Sequence, residues 1–168
     1  LQFNDGRDRW YDIVKKGFID GHFEGDGFSM TFLFGDARKS VRMLASEKEM
    51  FDVVFQDAFS PGKNPELWSL EYFHVIRSIM KDDGILTTYS AAPQIRRAMA
   101  DAGLKIARGV STGKKKEGTI ASPSPLENEL TDGEMSELLS EIKGTPYRDE
   151  HLDADRERIL VRRIEEMA

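Results

Sequence analysis

Short runs rich in β-branched and aromatic residues alternate with helical apolar stripes through the middle of this chain. Alternation of this kind implies βαβ units and a mainly parallel sheet, and it restricts the fold more than any other feature. The spacing predicts strands over residues 28–34, 51–56, 85–89, 104–110 and 119–122. Helices are predicted between them, over 38–49, 67–80 and 94–102. Lys81-Asp-Asp-Gly84 reads as a stop and turn, with Gly84 capping the helix before it. Lys114-Lys-Lys-Glu-Gly118 joins the last two strands as a hairpin, which makes one strand antiparallel. Ahead of this series, residues 7–16 form a helix with Trp10, Ile13 and Val14 on a common face. Beyond Pro125 the composition shifts, and two charged helices over 131–143 and 153–167 flank the turn Gly144-Thr-Pro-Tyr147. The expected organisation is a lead-in over 1–27, a core over 28–122 and an acidic helical extension over 123–168.

At 168 residues one domain is expected, with room for an appendage. The net charge of −6 is unevenly spread. Residues 123–168 carry 13 acids against 6 bases, whereas the rest carries 17 against 18. The core is therefore near neutral, and overall charge does not exclude a nucleic-acid substrate. The absence of cysteine excludes disulfides and thiolate metal sites. His22, His74 and His151 are far apart without ligand spacing, so no metal site is expected. No apolar run approaches the roughly 18 residues of a membrane span, and no basic-then-apolar start resembles a signal peptide. A cytoplasmic location with no membrane contact is the default expectation.

The stretch from Phe51 to Trp68 looks more like a site than a connection. Val53, Val54 and Phe55 form an apolar run too short for a helix, and Asp57 stands where it ends. A stiff loop follows, in which Pro61 and Pro65 fix backbone angles and Gly62 permits a bend. In an open α/β sheet, ligands bind outside the carboxyl ends of the strands. Asp57 is thus either a site carboxylate or a residue that caps a turn.

Four ordered segments carry a family resemblance. Asp57-Ala-Phe-Ser-Pro-Gly-Lys-Asn-Pro-Glu-Leu-Trp68 resembles the D-[AG]-F-x-P-x-x-N-P-x-x-W signature of the MnmC-type tRNA methyltransferases. Phe34-Gly-Asp-Ala37 is similar to that family's F-G-D segment. Leu86-Thr-Thr-Tyr-Ser-Ala-Ala, with Ile95-Arg-Arg97 and Ala102-Gly103, resembles its strand-plus-helix block, and Gly113-Lys-Lys-Lys-Glu117 its basic turn. The resemblance covers about residues 28–122 and implies an α/β fold. The expected architecture is the C-terminal part of a Rossmann-like class I methyltransferase sheet, mainly parallel with one antiparallel strand, followed by a helical C-terminal extension. One departure is large. The family's glycine-rich loop after the first strand and the acid ending the second are missing, so the chain is expected to lack the first cofactor-binding half.

The resemblance implies S-adenosylmethionine as methyl donor, without metal or flavin, and the aminomethyl group of a tRNA wobble uridine as acceptor. Asp36 would meet the adenine and Ala37 would supply a backbone amide; alternatively, Asp36 turns the chain after its strand. Asp57 would lie between donor and amine, touching both. Asn64 and Pro65 would shape the acceptor pocket, and Phe59 or Trp68 would pack against a base or against the protein. Trp68 is expected to pack into the protein, because it starts the next apolar stripe. Tyr89 and Ser90 end their strand on the rim of Asp57 and are candidate substrate contacts, although Tyr89 equally suits a half-buried sheet position. Lys114, Lys115 and Lys116, with Lys105, Arg108, Arg96 and Arg97, would form a phosphate-binding patch, or else a solvated hairpin tip. The implied partner is tRNA; the acidic extension would repel RNA, so it either packs away from that face or contacts another protein, such as an oxidase or upstream modification enzyme. Two other functions stay open: methyl transfer to another RNA or a small amine, and a truncated, non-catalytic binding module. Gly144-Thr-Pro-Tyr-Arg-Asp149 has no mechanism on sequence grounds.

Overall fold

A computed structural model describes residues 7–25, 27–109 and 117–168. The chain forms two compact units, Leu1–Ser40 and Val41–Ala168.

In the first unit, helix α1 (Arg7–Asp20) precedes a two-stranded antiparallel hairpin of β1 (His22–Gly25) and β2 (Phe28–Thr31). The helix extends four residues beyond the predicted 16. The strand expected over 28–34 is shortened, and its hydrogen bonds go to β1 rather than to the main sheet. Glycines explain the reversal. Gly21 and Gly27 have φ of 76° and 81°, a region open to them at little cost. Aromatic contacts bind helix to hairpin, with Trp10 5.6 Å from Phe28 and Phe18 5.6 Å from Phe32 between ring centroids. Gly17 permits this approach, since a Cβ there would meet the Phe32 ring at 3.0 Å.

The second unit is built on a four-stranded sheet in the order β3-β4-β6-β5. Its strands are β3 (Phe51–Gln56), β4 (Met80–Thr88), β5 (Lys105–Arg108) and β6 (Thr119–Ser122). β3 and β4 are parallel, while β6 runs antiparallel to both β4 and β5. Three strands therefore share one direction and one opposes them, the α/β arrangement expected from the alternation. Helices α2 (Ala37–Ser46), α3 (Leu70–Ser78) and α4 (Pro93–Asp101) connect the strands, and the unit boundary falls within α2. Helices α5 (Asp132–Ser140) and α6 (Arg156–Glu166) follow.

Register explains which side of the sheet is buried. Val54, Leu86, Ala121 and Ile106 lie in one cross-strand row. All four belong to, or pack against, a core containing Trp68, Phe73, Ile76, Ile95 and Met99 from the 65–68 turn, α3 and α4. Tyr147 and Ile159 of the C-terminal segment are in the same core. The next row, Phe55–Thr87–Ile120, lies on the opposite face because side chains alternate along a strand. There Phe55 is 78% exposed.

Two sequence expectations change in detail. The helix predicted over 67–80 is divided: a 3-10 turn (Pro65–Trp68) ends at Ser69, whose hydroxyl accepts from the Tyr72 N–H at 3.2 Å and starts α3. Gly84, expected as a helix cap, instead lies within β4. Pairing jumps from Phe51–Met80 to Val53–Ile85, so residues 81–84 form a bulge, stapled by Lys81 Nζ on Asp52 Oδ1 at 2.7 Å. A glycine is needed there because a Cβ would sit 3.0 Å from the Lys81 carbonyl oxygen and 3.1 Å from that of Phe51. Gly84→Ala is therefore expected to destabilise the protein by about 1–3 kcal/mol, the usual cost of overpacking. A lowered urea midpoint at unchanged m-value checks this.

Candidate active site

The site begins at the carboxyl ends of β3 and β4. These neighbouring parallel strands leave the sheet together, and a cavity of about 330 Å³ opens at their ends. Phe55, Gln56 and Asp57 line it from β3, and Thr87, Thr88 and Tyr89 from β4. Gly109 and Gly118 close it where β5 ends and β6 begins. Gly118 has a steric role, since a Cβ would stand 2.6 Å from the Thr88 carbonyl oxygen. Asp57 is exposed at the cavity, and its charge acts on the neighbouring phenol.

Three hydrogen bonds fix the loop after Asp57. The Tyr89 hydroxyl donates to the Ala58 carbonyl oxygen at 2.8 Å. The Trp68 indole Nε1 donates to that of Phe59 at 2.8 Å. Gln56 Nε2 donates to that of Leu67 at 2.7 Å. Residues 57–68 therefore have their carbonyls tied from within at both ends. Trp68 is fully buried, edge-on to Phe73 and Tyr89 with centroids at 6.4 and 6.0 Å. This is the packing role expected of it. Phe59 is 78% exposed, so its backbone is fixed while its ring is presented to solvent. Asn64 Nδ2 donates to Glu66 Oε2 at 2.8 Å, and Pro65 is buried in the first turn of the 3-10 segment.

Other expected site residues have different surroundings. Tyr89 is half-buried and spends its hydroxyl on the loop; burial and then the Asp57 charge hold its pKa above the ordinary value. Ser90 is buried, its hydroxyl accepting from the Ala92 N–H at 3.4 Å and its carbonyl from the Thr119 hydroxyl at 2.6 Å. Those bonds turn β4 into α4. Asp36 belongs to the first unit and caps α2: its Oδ1 accepts from the Arg38 N–H at 3.0 Å. The Arg38 guanidinium binds both carboxylate oxygens, and chiefly this side-chain bonding holds the Asp36 pKa below the ordinary value. Ala37 is the first residue of α2.

Lys114, Lys115 and Lys116 lie outside the described residues. The arginines expected beside them are engaged with protein groups. Arg96 is buried and donates to Thr119 Oγ1, Glu117 Oε1 and the Gly118 carbonyl oxygen. Arg108 pairs with Glu117 and Glu134, and Arg97 with Asp101. Glu134 completes a capping box with Thr131 at the start of α5, and those bonds chiefly bring its pKa down to about 2. Among the described residues, no group of three or more His, Asp or Glu could hold a metal, and no helix is long and apolar enough to cross a membrane. Sequence reasoning does not single out Gln56 or Gly118. Their only signal is position, at the end of one strand and just before another.

The cavity is near the lower end of the roughly 300–1,000 Å³ typical of small-molecule sites. Asp57, the one carboxylate among its described lining residues, suits a cationic sulfonium or ammonium centre. No glycine-rich loop is among its described lining residues. The residues present thus fit the reacting end of a methyl donor.

Comparison with known proteins adds family evidence. A family described as S-adenosyl-L-methionine-dependent methyltransferase matches residues 4–124. An uncharacterized protein of Methanocaldococcus jannaschii is 32% identical over 159 residues, which are 92% of this chain and 44% of that protein. The tRNA 5-methylaminomethyl-2-thiouridine biosynthesis bifunctional protein MnmC of an Azoarcus species is 33% identical over 96 residues, 57% of this chain and 15% of that one. The crystal structure of MNMC2 from Aquifex aeolicus matches with a TM-score of 0.84 at 29% identity, covering 99% of this chain and 53% of that chain. The chain thus spans about half the length, or less, of these relatives.

The Tyr89 environment predicts a pH effect. Raising a tyrosine pKa on folding stabilises the protein below the unfolded value, about 10, and that stability is lost as pH rises through the folded value. Asp57→Asn should lower the Tyr89 pKa towards the ordinary value, and Tyr89→Phe should remove one of the four tyrosinates from the high-pH titration. Ultraviolet titration of both variants checks this.

Proposed function

The chain belongs to the S-adenosyl-L-methionine-dependent methyltransferases, and from that premise we propose that it forms the acceptor side of an enzyme methylating the aminomethyl group of a modified wobble uridine in tRNA. Asp57 carries this reading: an exposed carboxylate in a cavity at the carboxyl ends of two parallel strands, beside a loop fixed by three hydrogen bonds. The names of the MnmC relatives support the acceptor.

S-adenosylmethionine, when bound, supplies the electrophilic methyl group. The chain's own task is to present a nucleophile. A primary alkylamine is largely protonated near neutral pH and then has no free lone pair. Asp57 can hold the ammonium by a charge-assisted hydrogen bond, orient it and accept its proton, so that positioning and base action combine at one group. Tyr89 keeps its proton and keeps Ala58 in place, which fixes the backbone next to Asp57. Phe59, held at its carbonyl and free at its ring, can stack on a base. No covalent enzyme intermediate is required. A tRNA acceptor also places the work in the cytoplasm.

The pairing of Arg96 and Arg108 with acids favours a second acceptor class, a small amine, because these groups are already neutralised within the protein. Transfer from labelled S-adenosylmethionine to bulk tRNA of modification-deficient cells separates the two, assayed in the protein as its cells express it. Label in tRNA supports the wobble-uridine reading, and label confined to small amines replaces it. Asp57→Asn should lower the transfer rate by about 10²–10⁴-fold while leaving the fold intact. A rate close to wild type would remove Asp57 from the mechanism.

A further inference from the structure

Thr145–Asp149, part of the Gly144–Asp149 stretch that the sequence leaves without a mechanism, is bonded to the exit of the Asp57 loop. The Leu70 N–H donates to the Tyr147 carbonyl oxygen at 3.0 Å, and Ser69 bridges Tyr147 in parallel. Glu71 is then gripped at both carboxylate oxygens. Arg148 Nε donates to Oε1 at 2.6 Å and the Asp149 N–H to Oε2 at 2.7 Å. The segment itself is rigidly made. Asp149 is 1% exposed, and its Oδ1 accepts from the N–H groups of Asp153 and Ala154, both at 3.1 Å. Arg163 of α6 donates to the Thr145 and Lys143 carbonyl oxygens at 2.7 and 2.9 Å and lies 5.0 Å over the Tyr147 ring. From the same helix, Arg156 Nε reaches the Gly62 carbonyl oxygen at the loop's apex, at 3.2 Å.

We propose that Thr145–Asp149, acting through Glu71, and Arg156, acting on Gly62, form a clamp that sets the position of residues 57–68, which makes Glu71 a positioning residue for methyl transfer. The physical basis is leverage. Trp68 stands one residue before the cap Ser69, and its indole holds Phe59, two residues from Asp57. A shift at Glu71 is therefore passed through a buried, incompressible side chain to the carboxylate. A misplacement near 1 Å at a reacting group is enough to cost about a hundredfold in rate. The acidic C-terminal segment thereby acquires a role in the site without contributing a group to the cavity.

The assignment of a methyl-transfer role rests on the proposed function, but the clamp itself is read without any assay. In the whole protein, exchange of the Trp68 indole N–H is followed by NMR in Glu71→Ala, Arg148→Ala, Arg148→Lys and Arg156→Ala, with Arg162→Ala as the ion-pair control. Loss of the charge-assisted bonds should speed Trp68 exchange about tenfold or more in Glu71→Ala and Arg148→Ala. Arg156→Ala should act in the same direction, Arg148→Lys should restore much of the protection, and the control should match wild type. Unchanged Trp68 exchange in a folded Arg148→Ala or Glu71→Ala protein overturns the clamp. Arg156 and Arg148 are not buried, so their variants decide the matter if Glu71→Ala does not fold. Kinetically, the clamp variants should lower kcat for methyl transfer by up to about a hundredfold, a larger factor than any change in KM; a wild-type kcat in a variant whose Trp68 exchange is accelerated overturns the positioning role. If wild type transfers no methyl group, the functional reading fails, and the indole measurement still decides the clamp.

Discussion

The buried indole of Trp68 is the interaction on which the second unit most depends. Its ring closes the core between Phe73 and Tyr89, and its single N–H is spent on the Phe59 carbonyl oxygen. One side chain thus satisfies two demands that usually conflict, burial of a large apolar surface and satisfaction of a buried donor. Removing a core tryptophan typically costs about 3–5 kcal/mol, a large fraction of a small domain's stability. Because the same residue ties the Asp57 loop, the stability of the core and the geometry of the site are one quantity here.

The surrounding polar groups follow the same economy. Gln56 and Tyr89, at the ends of adjacent strands, each direct their side chains to a loop carbonyl. Arg96 fixes the start of β6 through Thr119, Glu117 and Gly118. The arginines beside the expected phosphate patch are consequently structural in the described residues. Coulomb attraction to a nucleic acid would compete with bonds already made.

Strands β3, β5 and β6 and helix α4 were legible because their residues have one local preference and the tertiary structure agrees with it. Gly84 was not. Its helix-stop signal is genuine as local chemistry, yet pairing of Met80 with Phe51 takes the chain straight from α3 into β4 and turns residues 81–84 into a bulge. The 28–34 run likewise reads as a strand, and only its partner, β1, escapes periodicity analysis, since four residues between glycines are too few to show alternation. At the site, Asp57 was legible from its place after an apolar run, and Trp68 from the stripe it begins. The protein partners of Ser90 and Arg96 were not, because a short polar or cationic side chain beside a site looks the same in sequence whether it faces a ligand or the protein's own backbone. The Glu71–Asp149 contact joins residues far apart in the chain, and no local pattern announces it.

The sheet has a further consequence. Among the described residues β3 pairs on one side only, and on its outward face Val53 and Phe55 are 48% and 78% exposed. A free edge with apolar side chains is a template for another strand, and natural proteins blunt such edges with charge. Here the only such device on β3 is Asp52, already neutralised by Lys81. The strand that leads to Asp57 is thus open to pairing with a further strand, and its exposed Val53 and Phe55 stand four and two residues before that carboxylate.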